Sequence, residues 1–349
     1  MKKRGQAAVF IILGIVIIIL AIIFIASRGY NLIGLKPTQL EVPSRAEGIK
    51  DYVENCINDL LETAILKLSS QGGYIALPSD PINVGDFSNT LTLFGNNKVT
   101  IWNYIADNNV LFNQKPTIEQ MENEISNYIA SNLKSCLGEF TTFNDLNIKS
   151  GKISTQTNIQ DKRVVTKVTF PVSLKKDNFE FQFKEFFGAK ITPLKDLFSI
   201  AEKIYETEEN ELFLEKRILG MMSVYKEIPF VGETNDCIAP VWLKDNVIKD
   251  FKNILKVNVQ AFKIKGTNYT LAREKDKYLE IDADVNNKAT TVQFLFSELW
   301  PFELKVIPED NGILKGYSVT ETLGELRSLA EGFFCLSTYE FLYNIKFPA

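Results

Sequence analysis

Hydrophobic and polar positions change their spacing along this 349-residue chain, and the first pattern is an unbroken apolar segment. Residues 7–26 carry no charged side chain and are dominated by isoleucine. A helix of about 20 residues spans about 30 Å, the thickness of a bilayer's hydrocarbon core. The pattern predicts a transmembrane helix within residues 1–28, followed by a short stalk with glycine and proline at residues 29–43.

Apolar residues recur with the 3.6-residue period of amphipathic helices in several later segments. The first helix is expected from about Ser44 to Ser69, with Gly72-Gly73 ending it. The second begins at Thr117, where Gln120 completes a capping-box pattern. Further helices are predicted at residues 194–225, with a break near 206–210, and at residues 243–255.

The spacing shortens to two residues in the segments that are predicted to be strands. In the middle of the chain these are residues 149–160, 163–174 and 179–187, which favour an antiparallel meander. In the last third they are residues 257–264, 278–285, 290–296, 302–307 and 339–347. The predicted class is α+β. A connection with proline and glycine at residues 229–240 places a domain boundary there, between domains 44–228 and 229–349. A helix followed by a meander occurs in each, which hints that the two domains are similar.

Charge gives the apolar segment a direction. Lys2, Lys3 and Arg4 precede it, whereas only Arg28 and Lys36 lie just beyond its other end. The excess of basic residues predicts an amino terminus in the cytoplasm and the remaining ~320 residues outside the cell. The apolar segment is longer than the 7–15 residues of a cleaved secretory signal, which favours an uncleaved anchor over that alternative.

Small residues at Ala7, Gly14 and Ala21 form one stripe of the predicted helix. Such a stripe lets neighbouring helices approach closely in lipid or in an apolar bundle, although alanine and glycine are also common in spans by chance. These three residues are therefore candidates for helix packing.

The opening residues Lys3-Arg4-Gly5-Gln6-Ala7-Ala8-Val9-Phe10 resemble the class III signal peptides of archaeal type IV pilin-like subunits. The resemblance implies cleavage between Gly5 and Gln6, on the cytoplasmic side of an apolar helix that stays on the mature protein. That helix would anchor the subunit or pack into a filament core. Phe10 occupies the fifth mature position, where pilins often carry glutamate. Residues 52–75 also resemble large surface-anchored proteins of small-genome archaea, which supports a surface location.

Four cysteines, all beyond the apolar segment, are expected to form disulfides because their number is even and the context is extracellular. Cys56 and Cys136 lie on the apolar faces of the first two amphipathic helices, which could pack antiparallel. We therefore pair Cys56 with Cys136 and Cys237 with Cys335. Four buried free thiols are the alternative, and a four-cysteine zinc site is disfavoured because no two cysteines are close in sequence.

Composition excludes several kinds of chemistry. The chain has no histidine, which removes histidine-based triads and histidine-ligated metal sites. Beyond residue 30 there are 35 basic and 43 acidic side chains, a net charge of −8, so nucleic acid is not an expected partner. The acidic run at residues 206–211 is interpreted as a solvated helix face or a helix break. Residues 282–286 have the opening spacing of a calcium loop but lack its later ligands.

No motif predicts a catalytic site, a cofactor or a metal, so an enzyme is not expected. Asn268 begins the single N-x-S/T sequon and is a candidate glycan acceptor or an ordinary turn residue. The prediction is a single-pass cell-surface protein of structural or adhesive function, a pilin-like filament subunit included. Its expected partners are the membrane and either further copies or other surface proteins, with any small-molecule ligand unknown. A monomeric membrane-tethered receptor is the alternative, and an exported hydrolase comes third.

Overall fold

The computed structural model describes residues 43–79, 87–106, 108, 110–269, 279–318 and 335–348. The chain divides into two compact units, residues 1–51 and 52–349, and the described part of the first is residues 43–51. The predicted transmembrane helix lies outside the described residues. Among the residues that are described, no helix is long and apolar enough to cross a membrane. The division into domains 44–228 and 229–349 stays a prediction.

The helices agree with the apolar periods. They are α1 (Ser44–Ser70), α2 (Ile118–Leu137), α3 (Leu194–Glu211), α4 (Phe213–Val224) and α5 (Lys244–Asn258), with short 3-10 turns at Phe94–Asn96, Gly138–Phe143 and Val259–Ala261. The capping box predicted at the start of α2 is present, because the Gln120 N–H donates to Thr117 Oγ1 and the Thr117 N–H donates to Gln120 Oε1. The helical segment predicted at residues 194–225 is broken at Leu212, which is left-handed with φ 51°.

The strands are short except in the middle of the chain. They are β1 (Thr90–Thr92), β2 (Lys98–Thr100), β3 (Asn103–Ile105), β4 (Leu111–Asn113), β5 (Asn147–Ser150), β6 (Ser154–Gln160), β7 (Arg163–Lys176), β8 (Phe179–Ile191), β9 (Val231–Thr234), β10 (Val241–Leu243), β11 (Phe262–Ile264), β12 (Leu279–Ile281), β13 (Glu303–Ile307), β14 (Ile313–Lys315), β15 (Tyr317–Ser318), β16 (Ser337–Glu340) and β17 (Leu342–Lys346). All sheet pairings among them are antiparallel except β11 with β12, which are parallel. The α+β class with antiparallel sheets is confirmed.

The long strand β7 is the centre of the main sheet. It pairs with β8 along one side, and with β6 and then β5 along the other. The sequence predicts one strand at residues 149–160, but the structure divides it around Gly151. There the Gly151 N–H donates to the Pro171 carbonyl, opposite a register shift between Thr169 and Val172. Proline cannot donate to the ladder, so the sheet accommodates Pro171 at this irregularity.

Helices α1 and α2 cover the two edges of this sheet. On one edge, Asn58 Oδ1 of α1 accepts from the Ala189 N–H of β8 at 2.9 Å, and Gly188 beside it lets Ile57 approach. On the other, Glu122 Oε1 of α2 accepts from the Ile159 N–H of β6 at 2.8 Å. Side chains of the helices thus bond edge-strand amides that would otherwise be open to another strand.

The last third of the chain packs around a second core. Its fully buried members include Val247, Phe251 and Leu255 of α5, together with Leu314 of β14 and Phe341 between β16 and β17. The core also takes residues from α3 and α4, which precede the predicted boundary at residue 229: Ile200, Phe213, Ile218, Met221 and Met222.

The last third does not form the predicted meander. Its strands belong to separate sheets of two or three strands, and residues 290–296 form no strand. Phe294 nevertheless packs against the core by its ring, at 5.8 Å from the ring centroid of Phe262. Alternating apolar residues can therefore be buried by aromatic packing without a ladder of backbone hydrogen bonds. The predicted closing strand is present as β16 and β17, which are separated only by Phe341.

Candidate functional site

Both predicted cysteine pairs are present. Cys56 and Cys136 are bonded with their Cα atoms 5.9 Å apart, and Cys237 and Cys335 with theirs 4.3 Å apart. The first pair joins α1 to α2, because both cysteines face the apolar contact between the helices as the periodicity predicts. The pair therefore cross-links the two helices that cover opposite edges of the main sheet.

The remaining predicted site residues fall into two groups. Gly5, Gln6, Ala7, Gly14 and Ala21 lie outside the described residues. Asn268 is described, and its side chain is exposed just after Gly266, whose φ is +83°. The Asn268 N–H donates to the Thr290 carbonyl at 2.8 Å, so the backbone of this turn is held while the side chain points to solvent. Such a position is compatible with glycan attachment.

The calcium-like residues are held by lysines. Asp282 Oδ2 lies 2.7 Å from Lys265 Nζ, and Asp284 Oδ2 lies 3.3 Å from Lys203 Nζ. Exposed Asp282 and Asp284 alternate with buried Ile281, Ala283 and Val285, as the sequence predicts. The hydrogen bond from Lys265 lowers the pKa of Asp282. Within the described residues, no group of three acidic or cysteine side chains is arranged to hold a metal.

The acidic run at residues 206–211 contains a carboxyl group whose pKa is strongly raised, that of Glu208. Burial, and after it the hydrogen bond with Glu215, raises the pKa of Glu208 to about 7. The carboxylate also accepts from the Leu214 N–H at 3.1 Å, across the left-handed Leu212 that separates α3 from α4. The two carboxyl groups are in direct contact, which is closer than the ~5 Å separation of glycosidase pairs. The arrangement is suited to holding a proton at a helix junction.

A cleft lies beside this junction, with a volume of about 620 Å³. Its lining carries both signs of charge: Glu211, Phe213, Lys216, Arg217, Glu280, Ile281 and Asp282. Arg217 Nη2 donates to the Glu280 carbonyl at 3.1 Å, which ties α4 to β12 across the cleft. Because the charges are mixed and the walls are mostly polar, the cleft has the character of a solvated groove rather than an apolar ligand pocket.

The opposite side of α3 binds the β3–β4 hairpin through polar contacts. Lys115 Nζ lies 2.6 Å from Glu202 Oε1 and 3.5 Å from Glu206 Oε1, and the hydrogen bond that it donates to Glu202 raises the pKa of Lys115. Tyr205 accepts from Asn113 at 2.8 Å. Glu206, Glu209 and Glu211 are exposed, as the sequence analysis expects of residues 206–211, whereas Glu202, before that run, makes the shorter contact with the segment that follows β4. A single sequence does not reveal this, because the cationic partner lies 87 residues away.

The outer surface of the strands in the last third is unusually apolar. Several large side chains of these strands and their connections are 41–72% exposed: Val231, Ile238, Val241, Leu243, Ile307, Ile313, Tyr317 and Leu342. Three of them are neighbours, because Ile307 pairs with Leu342 across β13 and β17, and Val231 pairs with Glu340, which precedes Leu342 on the same face. We call Val231, Ile307 and Leu342 the outer patch. Adjoining exposed aliphatic residues of this kind are typical of contact surfaces.

Comparison with known proteins identifies no relative: no family model, no curated protein and no solved structure matches the chain. The class of protein is therefore defined by its own features, namely an α+β fold with two disulfides, helices over both sheet edges and an exposed apolar strand surface.

Proposed function

We propose that this chain is a membrane-anchored cell-surface protein of structural or adhesive function, with residues 1–28 in the membrane and the folded part outside. The observation that carries the proposal is the pair of disulfides, Cys56–Cys136 and Cys237–Cys335. Disulfides persist in oxidising compartments and are rare in the cytosol. The folded residues follow an apolar segment that is preceded by Lys2, Lys3 and Arg4, the arrangement that sends the following chain outward.

The pilin-like form of this proposal concerns the first 28 residues. Cleavage between Gly5 and Gln6 would leave the apolar helix at the mature amino terminus. Ala7, Gly14 and Ala21 would then let such helices pack closely. In this form the helix supplies the membrane or filament-core contact, while the folded part supplies lateral contacts.

A structural or adhesive function fits two features of the folded part. The amides at the edges of the main sheet are bonded by α1 and α2, so that uncontrolled strand addition is disfavoured. The outer patch, in contrast, offers an apolar surface on strands that are held by the second core. A mechanical role needs both properties, a fold that does not aggregate through its edges and a defined contact surface.

One observation favours the alternative, a monomeric membrane-tethered receptor. The cleft of about 620 Å³ beside α4 is within the size of small-molecule sites. Its lining contains Lys216, Arg217 and three carboxylates, which would suit a small zwitterionic ligand.

The decisive experiment determines at which residue the cell-derived protein begins and on which side of the membrane its folded part lies. Mass spectrometry of the intact protein should give a chain beginning at Gln6, with all four cysteines oxidised. A chain beginning at Met1 would exclude pilin-like processing but not the anchor. Reduced thiols, with residues 52–349 protected from protease in intact cells, would refute the extracellular location. Electron microscopy of surface preparations then distinguishes a filament from a dispersed receptor.

A further inference from the structure

The outer patch lies at the centre of a surface whose charges are segregated. On β16 and β17 the exposed side chains of Thr338, Glu340, Leu342 and Asn344 alternate with more buried ones, and Lys346, which is half-buried, continues the same spacing. Glu340 therefore precedes the apolar centre along the strand, and Lys346 follows it.

The flanking strands repeat this order. Glu233 of β9 is opposite Thr338, at the acidic end, whereas Lys305 of β13 is opposite Asn344, at the basic end. Val231 and Ile307 lie between these ends, on either side of Leu342, and the three are 64%, 64% and 65% exposed. The surface thus has an acidic end, an apolar centre and a basic end, where Lys305 and Lys346 outnumber Glu303, the residue opposite Lys346.

Neighbouring side chains interact with the two lysines of the basic end. Lys305 Nζ lies 2.8 Å from Glu303 Oε1, yet the Lys305 side chain is 68% exposed. Lys346 Nζ lies 4.3 Å from the ring centroid of Phe87. Exposed pairs of this kind are weak in water, so both lysines can still interact with an approaching acidic surface.

Such a surface is complementary to itself. If two copies pack face to face with their β17 strands antiparallel, a two-fold axis places Leu342 against Leu342. The same axis places the acidic end of each copy over the basic end of the other. Isologous contacts of this type are the commonest in homo-oligomers, and stacked sheets pack about 10 Å apart. A parallel arrangement would instead bring like charges together, so the charge order selects one orientation.

We propose that the outer patch, with its acidic and basic ends, is the site at which two copies of this chain associate. The inference rests on the proposed function, because anchoring in one membrane raises the effective concentration of copies and lets a small patch suffice. The occupant is thus a second copy of this chain, bound in the antiparallel orientation.

The test is sedimentation velocity of the full chain in detergent micelles over a range of concentrations. The wild-type chain should show a reversible monomer–dimer equilibrium. Leu342→Glu, which introduces a charge at the apolar centre, should weaken dimerisation at least about tenfold, since a buried leucine contributes enough for that factor. Leu299→Glu is the matched control, because Leu299 is 94% exposed elsewhere on the chain and should leave dimerisation unchanged.

A charge exchange tests the orientation. Glu340→Lys alone and Lys305→Glu alone should each weaken the dimer, whereas the double variant should recover most of the affinity because the two ends are exchanged together. Circular dichroism and intact disulfides confirm that each variant is folded. A double variant weaker than either single one overturns the antiparallel orientation.

Two further outcomes would overturn the proposal as a whole. One is a wild-type chain that stays monomeric at every concentration. The other is a Leu342→Glu variant that stays dimeric. If the only change in that variant is faster proteolysis of residues 319–334, the patch binds that segment of its own chain instead of a second copy. Either result leaves the anchor intact, because the anchor is judged by the amino terminus and by protease protection in cells. A cytosolic chain that still dimerises through the patch would refute the anchor alone.

Discussion

Glu208 is a carboxylic acid whose ionisation is strongly altered by the fold. Burial and the contact with Glu215 favour the protonated form of its carboxyl group, and they outweigh the hydrogen bond from the Leu214 N–H, which favours the carboxylate. A carboxylate that is desolvated beside another carboxylate holds its proton to higher pH, which explains the pKa of about 7. Ionisation of Glu208 therefore makes the junction between α3 and α4 sensitive to pH.

Replacing this residue should change how stability depends on pH. Since the pKa of Glu208 is near 4.5 when the chain is unfolded and about 7 when it is folded, the folded chain binds more protons between those values. The free energy of unfolding should therefore fall as the pH rises from 4.5 to 7, and level off above. Glu208→Gln mimics the protonated form and should remove this slope in urea titrations. Glu227→Gln, at an exposed site, should retain it; equal slopes in all three proteins would contradict the explanation.

The capping residues at the start of α2 were predictable from the sequence, whereas the contact between Glu208 and Glu215 was not. Thr117 and Gln120 are three positions apart, and their capping box depends only on local geometry. Glu208 and Glu215 are also close in sequence, but their contact depends on the left-handed turn at Leu212. Leucine rarely adopts that conformation, so nothing in its identity predicts the turn. The break was expected within residues 206–210 and occurs slightly later.

At the scale of elements, the covering of the main sheet depends on close approach of α1 to β8. A Cβ placed on Gly188 would lie 2.6 Å from Ile57 Cγ2, so Gly188→Ala should force the helix outward and destabilise the fold by about 1–3 kcal/mol. Gly220→Ala is the control, since Gly220 lies within α4 with open space around it, and should stabilise by about 0.5–1 kcal/mol. Chemical denaturation measures both. A Gly188→Ala variant as stable as the wild type would show that the helix adjusts freely.

The other edge of the sheet depends on a buried serine. Ser126 Oγ of α2 accepts from the Thr157 N–H at 3.0 Å and donates to Thr157 Oγ1 at 3.0 Å. Ser126→Ala leaves that amide buried without its partner, and should reduce the free energy of unfolding by about 1–3 kcal/mol. Ser131→Ala, at an exposed position of the same helix, should change it by no more than about 0.5 kcal/mol. Equal effects at the two positions would show that the amide finds another acceptor.

The element pattern was largely predictable where periodicity and turns agree. The strands predicted at residues 163–174 and 179–187 form the β7–β8 hairpin, which extends them to residues 163–176 and 179–191 around a two-residue turn. Residues 290–296 alternate as well, yet Phe294 packs by its ring and makes no ladder. A one-dimensional pattern records which side chains are buried, but not whether a neighbouring strand is there to complete the hydrogen bonds.

At the scale of the whole molecule, the prediction concerns which side of the membrane holds the fold. Lys2→Glu/Lys3→Glu removes most of the basic excess before the apolar segment while preserving the Arg4-Gly5 pair. A larger share of the chains should then keep residues 52–349 in the cytosol, because basic residues flanking a span are retained inside. Alkylation in intact cells reports this share, since cytosolic cysteines stay reduced.

The control for this experiment alters the same number of charges within the fold. Lys149→Glu/Lys152→Glu lies on the exposed surface of the main sheet, and should leave all four cysteines oxidised. If both variants keep a larger share of residues 52–349 in the cytosol, total charge is the cause of the effect. If neither variant does so, the basic residues before the apolar segment do not set the orientation of the chain.

The sequence by itself determined the local features: the helices and their caps, the long hairpin, the buried and exposed sides of residues 281–285, and the pairing of Cys56 with Cys136. Each follows from periodicity or from neighbours within a few residues, whose geometry the backbone dictates. Only the tertiary structure decided that Lys115 pairs with Glu202, that Gly188 admits Ile57, and that Val231, Ile307 and Leu342 adjoin on one surface. Those contacts join residues far apart in the chain, and their formation depends on how whole elements pack, which no local period encodes.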